Sequence, residues 1–139
     1  MKKSYVLGLC RTPSGYLMIE KIKPDWQKGR VNGLGGSIEK NEYISEAMVR
    51  EFFEESGILT REEDWNHFLT VENDKFELNI LRMDCLYDIN SEDIVSSGEG
   101  EVRIYSEMPH NVMDNIPILT RLAFESPFGE DKVRISGLL

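Results

Sequence analysis

Three glutamates, Glu51, Glu54 and Glu55, stand at positions i, i+3 and i+4, a spacing that makes them neighbours on one side of a helix. Like charges packed this way repel unless something positive sits among them. A divalent cation is the natural counterion, because Mg2+ takes hard oxygen ligands and is held by a few carboxylates together with a substrate's own phosphates. A cation held there acts as Lewis acid, template and water activator. Arg50 is the second counterion: it lies four residues from both Glu46 and Glu54 and can brace the array. The far side of the same helix carries Met48, Val49, Phe52 and Phe53, an apolar stripe suited to packing on a sheet.

The acids follow a glycine loop. Gly33, Gly35 and Gly36 in Asn-Gly-Leu-Gly-Gly allow close approaches that side chains resist, so a carbonyl from this loop can join the metal shell. Gly57, just beyond Glu55, reads as a helix stop. From Gly36 to Ile58 the chain reads Gly-x5-Glu-x7-Arg-Glu-Phe-x-Glu-Glu-x-Gly-Ile. At background frequencies of roughly 5–7% per residue type, seven fixed identities at fixed spacing arise at a given position with odds on the order of one in a billion. Chance is not a serious rival.

The elements that must position this motif can be read along the chain. Tyr5 to Arg11 and Tyr16 to Ile22 are apolar-rich segments around the turn sequence Thr-Pro-Ser-Gly, predicting a hairpin. Lys23 to Arg30 is polar with a proline, a loop; Asn32 to Glu39 holds the glycine loop and a short strand; Glu42 to Ser56 is the acidic helix. Phe68 to Glu72 and Phe76 to Tyr87 predict two strands joined through Asn73-Asp74, and Val102 to Tyr105 another. Between them Ile89 to Gly100 is polar, a mobile loop. Met113 to Phe124 predicts a second helix with Ile116, Leu119, Ala123 and Phe124 on its inner side, and Lys132 to Ile135 a final short strand. Strands flanked by two helices predict an α/β class protein with a mixed sheet.

The motif resembles the Nudix box at every defining position: Gly36, Glu42, Arg50, Glu51, apolar Phe52, Glu54, Glu55, Gly57 and apolar Ile58. That resemblance implies the Nudix fold, an α/β/α sandwich, and cleavage of a nucleoside diphosphate linked to another moiety. It implies Mg2+, with Mn2+ accepted by the same oxygen shell, held by Glu51, Glu54, Glu55 and the Gly35 carbonyl. The general base would be Glu51, or Glu99 in Ser-Gly-Glu-Gly-Glu if that loop supplies the additional glutamate several relatives use. Lys21 or Lys23, at the end of the second strand, falls where relatives place a basic residue for phosphate. His67 and His110 lie outside any metal-ligand spacing.

The segment Arg30-Val31-Asn32-Gly33-Leu34-Gly35-Gly36 is similar to the Arg-Trp-Asn-Gly-Phe-Gly-Gly stretch of the MutT-like, oxidised-purine nucleoside triphosphatase branch of the family. There the asparagine hydrogen-bonds the base, a role the resemblance gives to Asn32, whose amide offers both donor and acceptor. Trp26 sits six residues earlier, at the offset of a base-stacking aromatic. Asp114 and Asn115 open the second helix where that branch carries a base-reading pair; as a local feature either is a helix N-cap. Val31 replaces the branch's tryptophan. The resemblance therefore implies hydrolysis of a nucleoside triphosphate, 8-oxo-dGTP or another deoxynucleotide, to monophosphate and pyrophosphate. The alternative is ADP-ribose, a dinucleoside polyphosphate or another conjugate; the proline or tyrosine that such specialists place 15 to 17 positions beyond the box is replaced by Asn73, Asp74 and Lys75. A silent, nucleotide-sensing domain would typically have lost box glutamates, and all are retained.

At 139 residues, 40% apolar and 29% charged, the chain reads as one globular domain over 1–139. A net charge of −9 repels polyanions and argues against a nucleic-acid groove, which needs clustered Lys and Arg. Cys10 and Cys85 read as buried thiols in a reducing compartment. The apolar run from Tyr5 to Cys10 is too short for a signal sequence, and no stretch approaches the ~20 apolar residues of a membrane span, so a cytoplasmic protein is expected. Many relatives dimerise, so a homodimer is allowed, although nothing in the sequence marks an interface.

Overall fold

In a computed structural model, which describes residues 2–125 and 133–136, four strands precede the first of two α-helices, three more lie between the helices, and an eighth follows. The strands are β1 (Lys3–Thr12), β2 (Gly15–Lys21), β3 (Val31–Asn32), β4 (Leu34–Ser37), β5 (Asn66–Glu72), β6 (Phe76–Asp84), β7 (Gly100–Tyr105) and β8 (Val133–Ser136); the helices are α1 (Ile44–Ser56) and α2 (Ile116–Phe124). β1 is central. It runs parallel to β6 along its length, while its other edge pairs antiparallel with β4 near its start and with β2 at the hairpin. β5 continues the sheet antiparallel to β6 and parallel to β8; β2 carries β3 on one side and β7 on the other. The result is an open mixed sheet.

Strand side chains alternate between faces, and both faces are covered. Val6, Cys10, Leu17, Ile19, Leu81 and Met83 meet Ala47, Met48 and Phe52 of α1 together with Trp65, whose ring packs edge-on against Phe52 at 5.1 Å between centroids. Leu7, Leu9, Met18 and Ile80 point the other way, onto Ile116, Leu119 and Ala123 of α2. This is why the strands read as continuous apolar runs: each is buried on two sides. Phe124 packs partly buried on the α2 side, as its spacing predicts.

Several boundaries differ from the sequence reading. α1 begins at Ile44, because Glu42 is taken up in a turn in which its amide donates to the Glu39 carbonyl and its carboxylate accepts from the Glu39 amide. The buried stripe of α1 is Ala47, Met48 and Phe52; Phe53 lies one step around the helix and is half exposed. The glycine loop is two short strands with Gly33 between them, β3 pairing with β2 and β4 with β1. β5 starts earlier, at Asn66, and β6 stops at Asp84, leaving Cys85 partly buried beyond the strand. α2 starts at Ile116, with proline in its first turn, and neither Asp114 nor Asn115 caps it through its side chain. Lys132 of the predicted last strand lies outside the described residues. The loop expected to be mobile is tied at two points: the Val95 amide donates to the Ser56 carbonyl and the Ile22 amide to the Glu99 carbonyl. Among the described residues no helix is long and apolar enough to cross a membrane.

Candidate active site

The outer edge of β4 and the inner turn of α1 meet. In an antiparallel pair, alternate residues turn their peptide groups toward the partner strand and away from it. The Ile38 amide bonds the Ser4 carbonyl, so with Tyr5 opposite Ser37 and Leu7 opposite Gly35, residues 35 and 37 turn theirs outward. The contacts agree: the Gly35 amide donates to Glu55 Oε1 at 2.7 Å, and the Ser37 carbonyl accepts from Arg50 at 2.8 Å. The Gly35 carbonyl therefore faces the same edge as the Glu55 carboxylate. Gly36 leaves room for the Glu51 carboxylate at this junction, since a Cβ there would lie 2.5 Å from Glu51 Oε1. Gly57, at φ 75°, ends the helix with its amide on the Phe53 carbonyl at 2.8 Å.

Arg50 organises the acids, though not through Glu46. It grips Glu42 with two bonds of 2.7 and 3.0 Å, reaches Glu51 at 2.9 Å and Glu54 at 3.3 Å, and ties all of them to β4 through Ser37. Glu46 instead turns back to accept from the Tyr43 amide at 2.8 Å, closing the helix start. The guanidinium fork matches carboxylate geometry in a way an ammonium could not.

Glu55 is the buried member, with 3% of its side chain exposed. Loss of water drives its pKa up to about 7; Lys21 Nζ at 3.9 Å and the Gly35 amide oppose the rise, while Glu51 and Glu99 add to it. Burial also raises Glu51, against the pull of Arg50. Glu54 is half exposed at the rim. Lys21 sits between Glu55 and Glu99, 3.9 Å from each, and Lys23 approaches Glu99 at 3.5 Å. These lysines, the three acids, Gly35, Gly36 and the Ser97-Gly98-Glu99 turn line a cleft of about 560 Å³.

A second hollow of about 520 Å³ adjoins it, sharing Lys21, Gly35 and Gly36. Trp26, Asn32 and Asn115 line it, with Met113 and, on the sheet side, Tyr5, Phe76 and Leu78. Trp26 is 70% exposed at the rim. Asp114 does not line it: its carboxylate is fully exposed and pairs with Arg30 at 3.0 Å. Arg30 also bonds the Asn111 and Val112 carbonyls, holding the segment that delivers Met113 and Asn115. Sequence reasoning missed Gln27, whose side chain lines the hollow and bonds Asn32, and nothing in the loop's composition distinguished it.

Among the described residues no three metal-binding side chains are gathered into a ready cage. The donor chemistry nonetheless fits a hard divalent cation. Two carboxyls with raised pKa values, a third at the rim and an outward main-chain carbonyl are all oxygen donors, at a place where Glu42, Glu51, Glu54, Glu55 and Glu99 outnumber the cations Arg50, Lys21 and Lys23.

A mixed sheet with a glycine edge strand, an acidic helix and a lysine-flanked cleft thus make up the site. The family model for the NUDIX domain matches residues 1–118, and the chain belongs to that family, a class of hydrolases acting on phosphorus anhydrides. No curated protein matches it by sequence. Among solved structures it is similar to a NUDIX hydrolase from Nitrosomonas europaea (TM-score 0.74, 18% identity, covering 98% of this chain and 80% of that one). It is also similar to the MutT protein from Methanosarcina mazei Go1 (0.57, 22%, covering 74% and 75%). A third is a bifunctional NMN adenylyltransferase/ADP ribose pyrophosphatase from Francisella tularensis, complexed with AMP and a manganese ion (0.66, 17%, covering 88% of this chain and 41% of that one). At these identities the structural likenesses speak for the fold. Nudix hydrolases generally use divalent metal ions and act on small nucleotide substrates.

Proposed function

We propose that this chain works as one Nudix domain that hydrolyses a nucleoside triphosphate to monophosphate and pyrophosphate with Mg2+. The observation that carries the reading is the junction of two hollows at Lys21, Gly35 and Gly36, one acidic and flanked by lysines, the other largely apolar with amides at its edge. A nucleotide has the same two halves. Glu51, Glu54, Glu55 and the Gly35 carbonyl would hold Mg2+, which when bound neutralises phosphate charge and activates water. Arg50 keeps the acids in register. Lys21 and Lys23 exchange Glu99 for phosphate oxygens, and Glu99, so released, or Glu51 takes the proton of the attacking water. Trp26 stacks on the base while Asn32 and Asn115 address its edge.

A second reading is hydrolysis of a nucleoside diphosphate conjugate such as ADP-ribose. It draws support from the ADP ribose pyrophosphatase activity named for the Francisella tularensis protein. One experiment separates the two: the protein is incubated with Mg2+ and a panel containing 8-oxo-dGTP, the four deoxynucleoside triphosphates, ADP-ribose and a dinucleoside polyphosphate, and the products are resolved by chromatography. Release of pyrophosphate from a triphosphate, abolished in Glu54→Gln, is the expected result. Turnover of ADP-ribose far above every triphosphate overturns the first reading.

A further inference from the structure

The amide side chains of the apolar hollow are not free to face either way. The Gly33 amide, a donor that cannot reverse, bonds Asn32 Oδ1 at 2.8 Å. That fixes Asn32 Nδ2 toward Gln27 Oε1, where it donates at 3.2 Å. Gln27 is fixed in turn, because its oxygen is occupied, and among the described residues its Nε2 has no partner. A main-chain N–H thus sets the polarity of two side chains in series, and the network decides what each amide exposes. Both residues line the hollow. The hydrogens left for a ligand are those of the Gln27 amino group and the second one on Asn32 Nδ2, while each amide oxygen already accepts one bond and keeps a single lone pair. Asn115 makes no capping bond through its side chain and can rotate to suit either partner.

We propose that Gln27 is a specificity-determining residue, and that the Gly33–Asn32–Gln27 relay selects a base presenting a carbonyl oxygen over one presenting an amino group, hence 6-oxopurine over 6-aminopurine nucleotides. The inference rests on the reading that this hollow takes the base. At C6 an amino-bearing base puts donor against donor, where an oxo base accepts. A correct pair of hydrogen bonds to a base edge discriminates by about 5- to 150-fold, the equivalent of the 1–3 kcal/mol such contacts carry.

Two substrates differ only at purine C6 and the adjoining N1: deoxyinosine triphosphate carries oxygen at C6 and hydrogen on N1, deoxyadenosine triphosphate an amino group and a bare N1, and neither has a 2-amino group. The ratio of their kcat/KM values on one enzyme preparation is independent of how much of it is folded. The expected result is a ratio of about tenfold or more in favour of deoxyinosine triphosphate, within that discrimination range. Gln27→Met, which removes both donor and acceptor without adding charge, lowers the ratio several-fold, leaving only the preference that the Asn32 hydrogens supply. Asn32→Asp leaves Gln27 in place but turns its amide around, since the new carboxylate accepts from both Gly33 and Gln27, and the ratio then falls below one. Equal turnover of the two substrates by the unaltered protein, a preference for the adenine nucleotide, or an unchanged ratio in both variants overturns the inference while leaving the base-pocket reading intact. Absence of turnover with either nucleotide overturns that reading, and the relay's role with it.

Discussion

Replacing Glu55 by glutamine should make the metal-free protein more stable while disabling it. The glutamate is nearly excluded from water, with 3% of its side chain exposed, and its pKa is pushed from an ordinary 4.5 to about 7, chiefly by burial. At 1.36 kcal/mol per pKa unit, ionising it inside the fold costs about 3 kcal/mol more than ionising it in the unfolded chain. Because the native state holds this proton longer, stability is fully present below about pH 4.5 and falls as pH rises through about 7. Glutamine keeps an oxygen for the Gly35 amide but forfeits attraction to Lys21, so the net gain should be about 1–3 kcal/mol at pH 8. Thermal unfolding in EDTA at pH 5 and pH 8 reads the effect: a rise in Tm of roughly 3–9 °C at pH 8 that vanishes near pH 5. Adding Mg2+ at pH 8 should stabilise the parent protein more than the variant, through binding to the native state. A variant that melts below its parent at pH 8, or a difference that ignores pH, refutes the argument that an unbalanced buried charge sits here.

Three further outcomes follow from the same geometry. Arg50→Met removes the cation shared by Glu42, Glu51 and Glu54 and orphans the Ser37 carbonyl, and denaturant unfolding should show a loss of about 2–3 kcal/mol. Gly36→Ala drives a methyl into the Glu51 carboxylate and should lower kcat/KM by about 10- to 100-fold, the scale of a misplaced catalytic group; unchanged kinetics would mean Glu51 has no fixed working position. Trp26→Ala should raise KM about 5- to 150-fold, since base stacking is worth roughly 1–3 kcal/mol, with no change in Tm because the ring is exposed.

The box itself was legible because its residues are local: one helix places Glu51, Glu54 and Glu55, and a glycine at each end marks where that helix must approach a strand and stop. The hairpin, the two long strands of the core and the inner face of α2 were equally readable from apolar pattern and turn residues. The misreadings have different sources. Helical spacing matches Arg50 with Glu46, but Glu42 wins because the turn before the helix folds its carboxylate back over the guanidinium. Asp114, by position a cap or a base contact, is drawn off by Arg30, 84 positions away. Apolar character puts Phe53 with the core, whereas the helix phase set by Met48 and Phe52 turns it outward. Gln27 carried no signal, since its significance depends on which atom of Asn32 a neighbouring peptide occupies.

The way β4 lies against β1 leaves every second peptide of that short strand without a partner in the sheet, and the working cleft grows along that unsatisfied border. A share of the site is thus made of main chain, at Gly35 and Ser37, and at Gly35 the strand admits no side chain, because a Cβ there would run into the Val6 carbonyl of β1. Sliding β4 by one residue would present the opposite set of peptides and dismantle the cleft with every acidic residue still in place. Selection on this region should therefore bear on strand alignment as much as on residue identity.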